Sequence, residues 1–164
     1  MAKDVNKTQK KNIGKEEIKK QPKKEFEKKK KVVIVALVDT LKYLQKGGRI
    51  SKSIALTGKI LNIKPVLSAV EGVIQMVGKA RGSKRGNHQL VYEIEKAGGV
   101  DFEKPLLLGY TGLSDALLRK YIQDSAALWG DHLDSLPYEV VGSVVGTHAG
   151  PGAVAVAFFA SDCE

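Results

Sequence analysis

Seven consecutive apolar residues, Val32-Val33-Ile34-Val35-Ala36-Leu37-Val38, follow a 31-residue stretch that holds almost nothing to bury. That junction limits what the chain can fold into. The run is far shorter than the ~20 residues needed to cross a bilayer as a helix. Five of its seven residues are β-branched, and such a run is best explained as a strand buried on both faces. A basic stretch followed by an apolar run has the outline of a signal peptide. Here the basic part is too long, the apolar part is near the minimum, and Asp39 follows with no small-residue cleavage site. A cytoplasmic location is therefore expected. The single cysteine, Cys163, agrees with that location, and it excludes both a disulfide within the chain and a Cys-rich zinc site.

The charge divides at the same place. Residues 1–31 carry 13 Lys and 5 acidic residues, a net of +8, whereas residues 32–164 carry 14 basic and 13 acidic residues, a net of +1. The basic character belongs to the tail, and the body gives no global argument for nucleic acid. Met1 to about Gly14 is expected to be disordered. Lys15–Lys31 favours helix through its Glu and Lys content and the Glu16–Lys20 pair, with Pro22 as an interruption. The tail has one aromatic, Phe26, and no Arg. It lacks the stacking platforms of single-strand binders, so non-specific, salt-dependent association with nucleic acid or ribosomes is the most it would supply. That is the alternative functional reading.

The body, 32–164, is punctuated throughout. Asp39 can cap a helix over Thr40–Lys46 that stops at Gly47-Gly48, and Ser51 can cap another reaching about Asn62 before Pro65. Pro65–Val70 and Val73–Val77 read as a hairpin around Glu71-Gly72. A basic loop, Gly78–Gly86, leads to a helix over Asn87–Ala97. Pro105–Tyr110 reads as a strand, Ser114–Leu128 as a helix, and Val140–Val145 and Gly152–Phe159 as the last two strands. Interspersed strands and helices with a hairpin predict an α/β (α+β) domain with a mixed sheet.

Chemistry concentrates in Val144-Val145-Gly146-Thr147-His148-Ala149-Gly150-Pro151-Gly152. A strand is expected to run into a glycine-rich turn there. Its backbone N–H groups, at Gly146, Gly150 and Gly152, would be approachable, and Thr147 and His148 would add donors. Such a set suits a carboxylate or phosphate, although a plain tight turn with a packed histidine explains the same letters. Downstream, Ala153, Ala155 and Ala157 share one strand face. Small residues there either admit a closely packed helix or leave room for a ligand. Arg49, between a helix stop and a helix start, can meet an anion or tie its own loop down. Arg81, Lys84 and Arg85 offer a basic surface. Nucleophile-elbow, P-loop, dinucleotide and zincin motifs are all missing. A small hydrolase using His148 has no identifiable nucleophile. His88 and His132 read as surface residues, and Cys163 has no basic neighbour in sequence to activate it.

Four segments together resemble a known family. Asp39–Ser51, containing Gly47-Gly48-Arg49, is similar to the opening of the C-terminal domain of DegV proteins. Leu61-Asn62-Ile63-Lys64-Pro65-Val66-Leu67, Gly78-Lys79-Ala80-Arg81-Gly82 and Gly146–Gly152 resemble its next three signatures, in order. The resemblance implies a largely antiparallel sheet flanked by helices. It also implies a non-enzymatic carrier that binds a long-chain fatty acid and presents the carboxylate to a fatty acid kinase subunit. By the same resemblance, His148, Thr147 and Arg49 would hold the carboxylate and Arg81 would face the kinase. No cofactor or metal is implied beyond the bound fatty acid. The family's N-terminal domain, about half of a full chain, has no counterpart in these residues. The chain therefore reads as a truncated version, or as one that works with a separately encoded N-terminal domain.

Overall fold

A computed structural model describes residues 32–51, 62–70 and 72–161. The expected tail helix, the helix from Ser51 to Asn62 and Cys163 lie outside the described residues.

The apolar run forms β1, Val32–Leu37, inside a six-stranded sheet. The hairpin is present as β2, Ile63–Val70, and β3, Val73–Arg81, with Val70 opposite Val73. The remaining strands are β4, Leu107–Tyr110, β5, Tyr138–Val140, and β6, Val154–Phe159. Their spatial order is β3-β2-β1-β6-β4-β5. β1 with β2, β2 with β3, and β4 with β6 run antiparallel, while β4 with β5 is parallel. Two parallel neighbours need a long crossover. Here it runs through α3, Ala116–Asp124, α4, Ala126–Trp129, and a 3-10 turn, Gly130–Ser135. The other helices among the described residues are α1, Lys42–Lys46, α2, Ser83–Lys96, and α5, Ser143–Ala149. The α/β class with a mixed sheet and flanking helices is thus present.

Strand alternation gives the sheet two unlike faces. Val35, Leu37, Val66, Leu108, Val154, Val156 and Phe158 point to one side, where they meet Leu90 and Ile94 of α2, Leu118 and Tyr121 of α3, and Trp129 of α4. This is the main core. A polar thread runs from α4 back to α3. The Trp129 indole N–H donates to Ser125 Oγ at 2.9 Å, and the Ser125 hydroxyl donates to the Tyr121 carbonyl at 2.5 Å. Ser125→Ala would orphan the indole N–H, a loss of about 1–3 kcal/mol. A lowered melting temperature is expected, and an unchanged one would mean the indole finds another acceptor. α2 and α3 are further tied by Asn87, whose amide donates to Asp124 at 2.7 Å. That bond, with help from Lys120, holds the Asp124 carboxyl below the usual carboxylate range.

The opposite face carries a smaller cluster of Val38, Leu41, Leu44, Ile50, Leu67 and Ala153. α1 and α5 sit on this side.

The structure corrects several expectations. Asp39 does not cap α1; the side chain that accepts at this end is Thr40, from the Lys42 N–H, and Asp39 pairs with Lys64 instead. Lys79 and Arg81 belong to β3, and Lys84 and Arg85 to the first turn of α2, so the basic loop is a strand end joined to a helix start. Val144 and Val145 are not strand residues. β5 ends at Val140 and α5 begins at Ser143, leaving the two valines 76% and 61% exposed. Their β-branching favours a strand locally, but the ladder runs out. β4 ends at Tyr110, whose carbonyl takes its last bond from the Val141 N–H.

Candidate ligand-binding site

A cavity of about 330 Å³ lies between the second sheet face and α1 and α5. That is within the size range of small-molecule sites. Its floor is paved with small side chains from adjacent strands: Ala36 of β1, Ala69 of β2, Gly109 of β4, and Ala155 of β6, with Ala153 just ahead of it. Strand β6 thus answers the question left open by its alternating alanines. One set of residues, Val154, Val156 and Phe158, is core, and Ala153 and Ala155 make space. Leu44, Ile74, Val141, Val145 and Ala149 supply apolar walls.

Among the described residues, four that line the cavity have polar side chains: Arg49, Ser68, Thr111 and His148. Two are already engaged. Ser68 donates to the Ile34 carbonyl at 3.0 Å. Thr111 is buried; its hydroxyl donates to the Gly150 carbonyl at 2.5 Å and accepts from the Ala153 N–H at 2.8 Å. Arg49 uses one of its five N–H donors, Nη1, on the Gly47 carbonyl at 2.7 Å. His148 has no hydrogen-bond partner among the described residues. Among the described residues, the unspent donors of the cavity are therefore a guanidinium and an imidazole, 99 positions apart in sequence, and both meet Gly47. The imidazole rests on its Cα, where a Cβ would lie only 2.1 Å from Nδ1.

The glycine-rich segment is built differently from the turn expected of it. Gly146 lies inside α5, and its N–H donates to the Gly142 carbonyl. The Gly150 N–H donates to Gly146, and the Gly152 N–H to Thr111. These three N–H groups close the protein's own backbone bonds, so the headgroup loop is corrected to a helix and its C-terminal stop. Gly150 takes φ +78° there, a conformation side-chain-bearing residues rarely adopt. Thr147 lies outside the cavity lining. Successive helix residues are rotated by about 100°, which sends Thr147 to the outer side of α5 when His148 faces the cavity. Its hydroxyl donates to the Ser143 carbonyl at 2.7 Å, and it borders a separate groove with Val140 and Pro151. Arg81 ends β3, exposed and outside the cavity lining. His88 is exposed on α2, and His132 stacks on Phe102 with centroids 4.3 Å apart.

Sequence reasoning missed Thr111 and Gly109. Each has a signal in hindsight. A Gly in a short strand leaves room on one face, and a Thr at a strand end beside a Gly is a ready clamp for a neighbouring turn.

A sequence model described as "Uncharacterised protein, DegV family" matches residues 1–161. The chain belongs to the DegV family. A DegV domain-containing protein of Caldanaerobacter subterraneus subsp. tengcongensis is 30% identical over 126 residues, which is 76% of this chain and 43% of the relative. Among solved structures, a fatty acid binding DegV family protein from Streptococcus agalactiae is similar with a TM-score of 0.69 and 28% identity. The match covers 85% of this chain and 48% of that one. The Streptococcus pneumoniae fatty acid kinase (Fak) B3 protein, loaded with linoleic acid, shares the fold at a TM-score of 0.67 and 21% identity, covering 83% and 47%. The chain thus spans about half the length of the DegV relatives it matches. Among the described residues, no helix is long and apolar enough to cross a membrane, and no cluster of His, Cys, Asp or Glu could hold a metal ion.

Proposed function

We propose that this chain binds a long-chain fatty acid, with the carboxylate between Arg49 and His148 and the acyl chain along the alanine-paved floor. The observation that carries the reading is the division of labour in the cavity. Its described walls are apolar, and among the described residues the donors it leaves unspent are an arginine and a histidine brought together at Gly47. An apolar chain gains roughly 0.8 kcal/mol per buried CH₂. A partly desolvated carboxylate needs charged or polar donors to remain there. The Streptococcus agalactiae neighbour, a fatty acid binding DegV family protein, supports the same ligand class.

In this reading the chain is a carrier in the cytoplasm and not an enzyme. Phosphoryl transfer to the carboxylate belongs to a fatty acid kinase catalytic subunit, with Arg81 on the docking side. A DegV N-terminal domain is the second partner. It would cover the apolar side chains beside the cavity mouth, among them Ile34 at 43% and Val144 at 76% exposure.

The test is mass spectrometry of the purified, denatured protein, followed by titration with labelled palmitate. A co-purifying long-chain acid is expected. Ala155→Leu fills the floor and should abolish both signals while leaving the melting temperature close to that of the parent, because Ala155 lies off the packed face. No bound acid together with no palmitate binding would overturn the reading.

A further inference from the structure

We propose that Gly47 is the positioning residue for His148; its consequence for the carboxylate rests on the fatty-acid reading above. The backbone at Gly47 has φ −78°, ψ −2°, a conformation open to any residue. Conformational freedom therefore does not require a glycine there. Close approach does. A Cβ at position 47 would lie 2.1 Å from His148 Nδ1 and 2.7 Å from Cε1, far inside van der Waals contact. Only a residue without a side chain lets the imidazole lie against the last turn of α1.

The same residue also organises the second donor. The Gly47 carbonyl accepts from Arg49 Nη1 at 2.7 Å, and its N–H donates to the Tyr43 carbonyl at 2.9 Å. The guanidinium is drawn back over α1 at the point where the imidazole arrives from α5. A reciprocal contact locks the pair. A Cβ on Gly150, just past α5, would lie 2.2 Å from Tyr43 Cδ2 of α1. Each helix thus lays one ring on a glycine of the other, His148 on Gly47 and Tyr43 on Gly150. With its Nδ1 edge on Gly47, the His148 ring keeps Nε2 for donation to a ligand. Thr111 fixes the end of α5 from below through its bond to the Gly150 carbonyl.

The experiment uses the full chain in four forms: parent, Gly47→Ala, His148→Ala and the double variant. Three quantities are read: the NMR signals of the His148 imidazole, the melting temperature, and the affinity for carboxyl-labelled palmitate. His88 and His132 serve as internal references. Gly47→Ala is expected to shift the His148 signals alone and to lower palmitate affinity as far as His148→Ala does, tenfold or more. In the His148→Ala background it should add nothing, because the ring it would strike is gone. If Gly47→Ala fails to fold, recovery of folding in the double variant supports the proposal, and an unfolded double variant overturns it. Unmoved His148 signals in a folded Gly47→Ala protein also overturn it. If the His148 signals move and the melting temperatures are non-additive while palmitate binds equally well to all four forms, Gly47 still positions the ring and the placement of the carboxylate at His148 falls; if none of the four forms binds palmitate, the fatty-acid reading falls.

Discussion

His148→Ala should weaken fatty-acid binding roughly tenfold to a hundredfold. A charge-assisted hydrogen bond contributes on the order of 1.5–3 kcal/mol, and each ~1.4 kcal/mol is a factor of ten in affinity. The imidazole has no hydrogen-bond partner among the described residues, so its removal orphans none of their polar groups. It lies on the cavity side, away from the main core. The melting temperature should therefore hold while binding falls. His132→Ala is the control. That ring is exposed and stacked on Phe102, and its loss should leave binding unchanged. Isothermal titration or fluorescence displacement with the three proteins decides the matter. Equal affinity for parent and His148→Ala would remove His148 from the headgroup site.

Trp129→Ala should have the opposite profile. Trp129 is 1% exposed and packs edge-on against both Tyr121 and Phe102, with centroids 6.2 and 6.4 Å apart. Truncating a buried Trp costs about 3–5 kcal/mol through lost transfer energy and the cavity left behind. It also leaves the Ser125 hydroxyl without its indole donor. For a domain of this size, the melting temperature should fall by on the order of 10 °C. Thermal unfolding followed by circular dichroism would measure it. A fall of only a degree or two would mean that the α3–α4 corner collapses around the gap. In whatever fraction stays folded, ligand affinity should be close to normal, because Trp129 is on the far side of the sheet from the cavity.

Much of the fold could be read from the letters. Val32–Leu37 had to be a strand, although it is buried on one face only, through Val35 and Leu37, while Val32 and Ile34 are exposed on the other; Glu71-Gly72 between two β-branched runs marked the hairpin. Gly47-Gly48 ended the helix before it. The misreadings share a cause. Val144-Val145 has strand propensity, but a strand needs a neighbour with free backbone groups, and that depends on how far β4 and β5 extend. Gly146–Gly152 has turn composition, yet Gly150 stops a helix there and Thr111, 39 residues upstream in sequence, holds it. The candidate site was legible in its residues and not in its geometry. Arg49 and His148 stood out as donors. That Thr147 turns outward and that Gly47 seats the imidazole depend on helix phase and on a contact between α1 and α5. Local pattern records neither.

The two-faced sheet has a consequence for how such a chain can be changed. Along β6, the parity of the residue number decides which property a substitution touches. Even positions, Val154, Val156 and Phe158, hold the body together, and a methyl removed there is felt as lost stability. Ala155, and Ala36 on β1, belong to the other series, where an added methyl is felt as lost room. Bulk can therefore be varied at these floor positions to redraw the outline of the ligand with little change in the unfolding equilibrium. A small library at Ala36, Ala69 and Ala155 would then sort acyl chains by length and bend while every member melts at nearly the same temperature.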